Sequence, residues 1–301
     1  MTTISLEDQP VKELEGAMKT LLLPLWARAK ECHRANPLLV DERARQIVDD
    51  LNEEKGFGEC FNAMEQELDT YYQLSQIIRA KSLDGEIKAY LQYHPQGAIV
   101  NIGAGLDTTF ERVDNGALTW YDLDLPEVIA LRRQFFHEHS RRKCIAKSVL
   151  DHSWIDEIVH PDQGIMFVAC GVLFFLQEDE VKRLFGLLVD QFPGSEIAFD
   201  TMAPFFLNLG NRMVLKKGNM GDQAVMRWAV RSSKEISTWD TRIRVIDEYP
   251  MYSRISLDPT WGLSCMMRMK MINWLKGINI LHLQIASSID QPGIDLPSCI
   301  V

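Results

Sequence analysis

Apolar positions recur at two different spacings along this chain of 301 residues, and the spacing changes near residue 95. Before that point it is helical. Leu14, Ala17, Met18, Leu21, Leu22 and Leu25 fall three or four residues apart, which gathers them on one helix face. Asp41 stands where a cap belongs, ahead of a helix over 42–51. Gly56-Phe57-Gly58 breaks the pattern, a longer helical stretch covers 62–83, and Asp84-Gly85 reads as a bend before 86–93. Pro95-Gln96-Gly97 closes this region, so residues 1–95 are expected to form an N-terminal helical cap.

From Ala98 onward, short apolar runs alternate with amphipathic stretches. The runs at 98–102, 117–123, 143–148, 165–170, 195–200, 242–247 and 278–285 predict seven strands. Helices are expected over 126–139, 178–192 and 261–276. Such alternation implies an α/β fold: a Rossmann-like, mostly parallel sheet with helices on both faces, within a domain spanning 96–301. The segment 201–239 is too long for a simple connection. It holds Phe205, Trp228 and Trp239, and reads as a helical lid whose aromatic side chains line a substrate pocket.

Candidate chemistry sits at the ends of the first strands. The run 98–102 ends in Gly103-Ala104-Gly105, and the second run ends at Asp124, 21 residues after Gly103. Glycines let a ligand approach the backbone, and an acid at the end of the second strand can accept two ribose hydroxyls. The third glycine of a dinucleotide fingerprint would fall at position 108, which is Thr108. A nucleoside without phosphates, such as S-adenosylmethionine, therefore fits better than a dinucleotide. Asp122 lies two residues before Asp124, on the same side of the strand, and is the alternative ribose ligand. Ser148 and Asp151 flank the end of the third strand, where an adenine amino group needs an acceptor; Asp151 suits a helix cap equally well.

Charge and cysteine usage narrow the partners. A formal charge of −10 leaves no basic surplus for a nucleic-acid backbone, and the clusters Arg132-Arg133 and Arg141-Arg142-Lys143 read as solvated helix ends. The longest apolar run, 165–176, is too short to cross a bilayer, and no membrane partner is expected. Residues 1–10 lack a secretory pattern and the six cysteines lack a metal or disulfide spacing, which points to a cytoplasmic protein. His137-Glu138-His139 is not read as a metal site, because residues two apart do not share a helix face.

The stretches IVNIGAGLDTTFERV and WYDLDLPEVIALRR, with SVLDHSW, VACGVLFFLQEDEV and SEIAFDTM downstream, resemble the leucine carboxyl methyltransferase family. The resemblance is to the branch of tetracenomycin-type polyketide O-methyltransferases, and it runs over roughly 20–285. It implies a class I methyltransferase sheet whose last strand inserts antiparallel. It also implies that Arg79 grips the carboxylate of S-adenosylmethionine, that Asp107 belongs to the cofactor turn, and that Arg28 lies near the substrate. Cys170 departs from the pattern: many family members carry a glutamate there, toward the cofactor's ammonium.

The implied activity is O-methylation of a small-molecule carboxylate or phenol, in secondary, polyketide-like metabolism. A carboxylate needs no base, so positioning suffices. A phenol would gain from one, and His152 is the histidine closest to the strand ends. A protein C-terminal carboxylate is the alternative substrate. Cofactor binding without methyl transfer, for regulation or a cofactor-assisted rearrangement, is the alternative role.

Overall fold

The computed structural model describes residues 11–54, 57–159, 163–217 and 225–287. Four helices come first: α1 (Val11–Glu31), α2 (Glu42–Glu54), α3 (Gly58–Glu67) and α4 (Thr70–Tyr93). The boundary between α3 and α4 lies at Leu68–Asp69, inside the single stretch expected from the sequence. There the Asp69 carboxylate accepts from Tyr72 N and caps α4. The bend expected at Asp84-Gly85 is absent, and α4 runs straight through it. Asp84 stays helical because its carboxylate is buried in an ion pair with Arg112.

The seven strands follow their predicted positions closely. They are β1 (Ala98–Ile102), β2 (Thr119–Asp124), β3 (Arg142–Ala146), β4 (Ile165–Ala169), β5 (Glu196–Met202), β6 (Ile243–Pro250) and β7 (Ile278–Ile285). Their order in the sheet is β3-β2-β1-β4-β5-β7-β6. The first five strands pair in parallel, and β7 inserts antiparallel between β5 and β6. The remaining helices are α5 (Thr109–Val113), α6 (Pro126–Arg132), α7 (Glu178–Gln191), α8 (Pro204–Lys217), α9 (Ser233–Ser237) and α10 (Leu263–Trp274). None of the described helices is long and apolar enough to cross a membrane.

Both faces of the sheet are buried, and alternation along each strand divides the core in two. Ile99, Trp120, Met166, Val168 and Ile280 face α1, α2 and α4. Val100, Tyr121, Phe167, Phe199 and Leu283 face α7. The second half of the expected lid belongs to that latter core. Trp228 is 3% exposed, its ring lies 6.2 Å from Phe199 and 6.3 Å from Trp239, and its N–H donates to Phe174 O. The lid reading of 201–239 is thus corrected: α8 lies at the surface, but 225–239 packs against the sheet. The sequence also puts Gly218 and Gly221 in this segment, where glycine lowers helix stability; both lie outside the described residues.

Candidate functional site at the carboxyl ends of the parallel strands

The turn after β1 is built for close approach. Gly103 and Gly105 have φ of +66° and +47°, in the left-handed region that side chains disfavour. A Cβ on Gly103 would come within 2.5 Å of the Val172 side chain, and one on Gly105 within 2.9 Å of Leu21. The turn is therefore wedged between the chain after β4 and helix α1. Gly103 N donates to Leu123 O across to β2, so its N–H is spent on the sheet. What these glycines offer a ligand is bare backbone.

Asp124 and Asp122 meet opposite fates. Asp124 Oδ2 accepts from Gly105 N at 2.7 Å, and Oδ1 accepts from Leu125 N at 2.7 Å. Burial raises the Asp124 pKa above its ordinary value, against the lowering effect of those two amides. Each oxygen keeps a lone pair, and the carboxylate hangs over the glycine turn, where two vicinal hydroxyls could reach it. Asp122 is fully buried. Its carboxylate is held by Arg132 at 3.0 Å, Arg142 at 3.1 Å and Trp120 Nε1 at 2.8 Å. It is a structural anchor and cannot serve as the alternative ribose ligand.

Arg132 and Arg142 correct the reading of the basic clusters as solvated. Both are buried, and Arg132 also donates to the carbonyls of Ala104 (3.2 Å) and Gly105 (2.9 Å), clamping the glycine turn from below. Arg133 and Arg141 do behave as surface charges, paired with Glu138 and Asp114.

Asp107 sits in a buried charge network. Arg28 and Arg112 approach it at 3.7 and 3.9 Å, and Asn101 donates to it at 3.3 Å. Burial would raise its pKa, but Arg28 and Arg112 outweigh burial and hold it at about 2. The same two arginines bind Asp41, at 2.9 and 2.7 Å, and Arg112 also binds Asp84 at 2.7 Å. Arg28 is 3% exposed and committed to these partners, so it positions Asp107 and is closed to a substrate. Asp41 caps α2 through Ala44 N, as expected, and ties α1 and α5 together as well.

Arg79 lies beside the end of β4. A Cβ on Gly171 would come within 2.6 Å of its guanidinium. Its Nη2 donates to Gln76 at 2.6 Å, Nη1 reaches Asp200 at 3.4 Å, and the buried Nε has no protein partner. Cys170 is next to it, where burial pushes the thiol pKa up to about 12 despite the nearby arginine. A neutral thiol cannot act as the glutamate of other family members. The anionic charge in this corner comes from Asp200, which accepts from Gly171 N at 2.5 Å. Asp200 lies in the SEIAFDTM stretch, and its position at the end of β5 was the signal available in the sequence.

Gly103, Gly105, Asp107, Asp124, Arg79 and Cys170 are thus brought together. Of the remaining candidates, Ser148 and Asp151 follow β3, whose Ala146 pairs with Asp124 at the same strand ends. Ser148 Oγ accepts from Leu150 N, and Asp151 caps the short helix His152–Glu157 through Ser153 N. Asp151 and His152 are both exposed beyond β3. Phe205 is an exposed residue of α8, while Trp228 and Trp239 pack in the core across the sheet from the cap.

Comparison with known proteins agrees with this architecture. Residues 22–189 match the model of the leucine carboxyl methyltransferase family. The tetracenomycin polyketide synthesis O-methyltransferase TcmP of Streptomyces glaucescens is 24% identical over 79% of this chain and 84% of its own. The S-adenosyl-L-methionine-dependent methyltransferase dpfgK of Gibberella zeae is 28% identical over 75% of this chain and 79% of its own. A crystal structure from Thermobifida fusca, provisionally assigned as a methyltransferase, superposes with a TM-score of 0.55 at 17% identity, covering 94% of this chain and all of that one. The match over more than half the chain and the glycine turn it contains make the assignment plain: this protein belongs to the leucine carboxyl methyltransferase family.

Proposed function

We propose that this protein is an S-adenosylmethionine-dependent O-methyltransferase acting on a small-molecule carboxylate or phenol. The observation that carries the reading is Asp124 poised over the Gly103–Gly105 turn, inside the stretch that matches the family. The turn gives the backbone clearance a nucleoside needs. Asp124 takes the ribose hydroxyls, and Arg79, with its unpartnered Nε and a weak 3.4 Å hold on Asp200, takes the cofactor's carboxylate. Asp107, kept ionised by Arg28 and Arg112, adds an anionic charge toward the cationic cofactor.

When bound, the cofactor supplies a methyl group on a sulfonium, an electrophile with a neutral leaving group. The chain's own task is then to hold, align and exclude water. A carboxylate acceptor is ionised at neutral pH and needs no proton removed. The named activity of the Streptomyces relative, polyketide O-methylation, supports a small metabolite in secondary metabolism over a protein tail. Cys170 keeps one alternative open, cofactor binding without transfer, because a neutral thiol stands where other family members carry a glutamate and leaves Asp200 as the charged group of this corner.

Calorimetry with S-adenosylmethionine beside a labelled-methyl assay on a panel of aromatic acids and phenols tests both. Asp124→Ala is expected to weaken cofactor binding by about 2–3 kcal/mol, on the order of 30- to 150-fold. Unchanged affinity in that variant would remove Asp124 from the site. Tight binding with no methyl transfer to any acceptor would favour the alternative.

A further inference from the structure

Two helices at the cofactor end of the sheet differ in composition from the rest of the chain. Helix α8 (204–217) and the stretch 263–276, which contains α10, hold no Asp or Glu, and each holds three Lys or Arg. These 28 residues contribute +6 to a chain whose net charge is −10. The same segments expose large apolar side chains. Trp274 is 82% exposed, Phe205 and Leu263 69%, and Met267 61%. Of the 13 exposed large apolar side chains among the described residues, seven lie here.

The faces are regular and contiguous. Leu263, Met267, Lys270, Met271 and Trp274 are spaced so that they share one side of α10, and all are exposed. Phe205, Asn208, Leu209 and Arg212 do the same on α8. The helices meet where Ala203 N donates to Gly277 O at 2.9 Å and the Phe206 ring packs over Gly277. Arg268 is turned inward, stacked 3.8 Å over the Tyr71 ring and paired with Asp69. The outward cations are therefore Lys270, Lys276 and Arg212, interleaved with apolar side chains and with no acid between them.

We propose that this face docks on an anionic lipid surface. A helix lying in a bilayer interface needs an apolar face, aromatic or Met and Leu side chains to bury in it, and cations for the headgroups; α10 with α8 supplies all three. Charge selects this occupant over a second copy of the chain. A symmetric contact through the same face would bring two sets of Arg212, Lys270 and Lys276 into one interface. The absence of a spanning helix among the described residues fits a peripheral contact. The expectation of no membrane partner rested on spanning length alone, which does not bear on such a contact. The face lies near the site: α8 begins at Pro204, four residues after Asp200, which pairs with Arg79. An apolar methyl acceptor dissolved in the lipid would arrive beside it, a consequence that rests on the function proposed above.

The test is flotation of the purified full-length protein with vesicles of phosphatidylcholine, with and without phosphatidylglycerol. Binding is expected only with the anionic lipid and should weaken as salt rises. Lys270→Gln and Lys276→Gln should each weaken it roughly five-fold. The double variant Met271→Glu/Trp274→Glu should abolish it, with melting temperature and calorimetric cofactor binding unchanged, since both side chains are exposed. No flotation with anionic vesicles at low salt would overturn the proposal. So would a wild-type dimer in light scattering that the double variant converts to monomer, because the face would then belong to a second copy. Neither result touches the methyltransferase reading, which the cofactor titration tests separately.

Discussion

Helix α4 is fastened to the sheet at two places, and the two fastenings are chemically unlike. Toward the cofactor end, Asp84 of α4 joins the arginine–carboxylate network of Arg112, Asp41, Arg28 and Asp107. Two residues on, Glu86 points from the opposite side of the helix and meets His282 Nδ1 of β7 at 3.0 Å. His282 Nε2 reaches Glu196 at 2.8 Å, and Tyr249 donates to Glu86 at 2.7 Å. Arginine never releases its proton in the working range, whereas histidine does. The first fastening keeps the cofactor turn rigid at any physiological pH; the second titrates. Beside this second fastening lies a cleft of about 630 Å³, lined by Glu86, Tyr90, Tyr249 and His282. None of the residues lining it belongs to the glycine turn after β1.

The largest effect is expected from the first fastening. Arg112→Met leaves Asp84 and part of the Asp41 charge buried without a partner. Breaking one side of such a pair costs about 3–5 kcal/mol. Urea denaturation should record that loss, together with weaker cofactor binding as Asp107 loses one of its two arginines. A loss below about 1 kcal/mol would mean that water screens the network, as it does for surface pairs.

The second fastening should appear as a pH dependence of nearly the same size. Burial would lower the His282 pKa, but Glu196 and Glu86 overcome burial and push it up to about 9. The folded state thus holds this proton more tightly than the unfolded chain, whose histidine titrates at 6.5. Its stabilisation is complete below 6.5 and is lost as pH rises through about 9, a loss on the order of 3 kcal/mol. Asp107 behaves in the opposite sense. Its folded pKa of about 2 lies below the ordinary 3.8, so its contribution is present above 3.8 and fades as pH falls through about 2. Melting curves between pH 6 and 10 should therefore fall on the alkaline side, and His282→Gln should flatten that fall. An unaltered alkaline slope in the variant would assign it to other groups, the buried thiols and phenols first.

How much of this was legible beforehand depends on whether a residue's role is local. The strands were, because alternation and turn residues are written next to one another, and so was the placement of Asp124 against the glycine turn, which follows from one strand–helix–strand unit. Roles set by distant partners were not. Asp122 and Asp124 look equivalent along β2, and only Arg132 and Arg142, brought in by folding, make Asp122 a buried anchor and leave Asp124 clear of them. Arg28 resembled a free charge because Asp41 and Asp107 lie 13 and 79 positions away. Trp228 looked like a lid residue because its partner Phe199 is on another element. The break at Leu68–Asp69 was local, and the aspartate cap was its signal.

The smallest effect tests whether the two fastenings act independently. Gly85 lies between Asp84 and Glu86, inside the 24-residue helix α4, with nothing within 4 Å of where a Cβ would stand. Glycine in a helix interior costs about 0.5–1 kcal/mol relative to alanine, since it orders the freest backbone and packs no side chain. Gly85→Ala should therefore raise stability by about that amount, measured as a shift in the urea midpoint with the slope unchanged. The informative comparison is the same substitution made together with His282→Gln. If α4 holds each fastening without adjustment at the glycine, the gain is equal in both backgrounds, as for any two sites without a shared partner. If the backbone at Gly85 must flex for Asp84 and Glu86 to reach Arg112 and His282 together, alanine strains the intact protein. It then helps only once the second fastening is gone, and the gain in the wild-type background shrinks or changes sign. Equal gains leave a pH-insensitive hold on the cofactor turn and a titratable hold beside the cleft as separate devices on one helix.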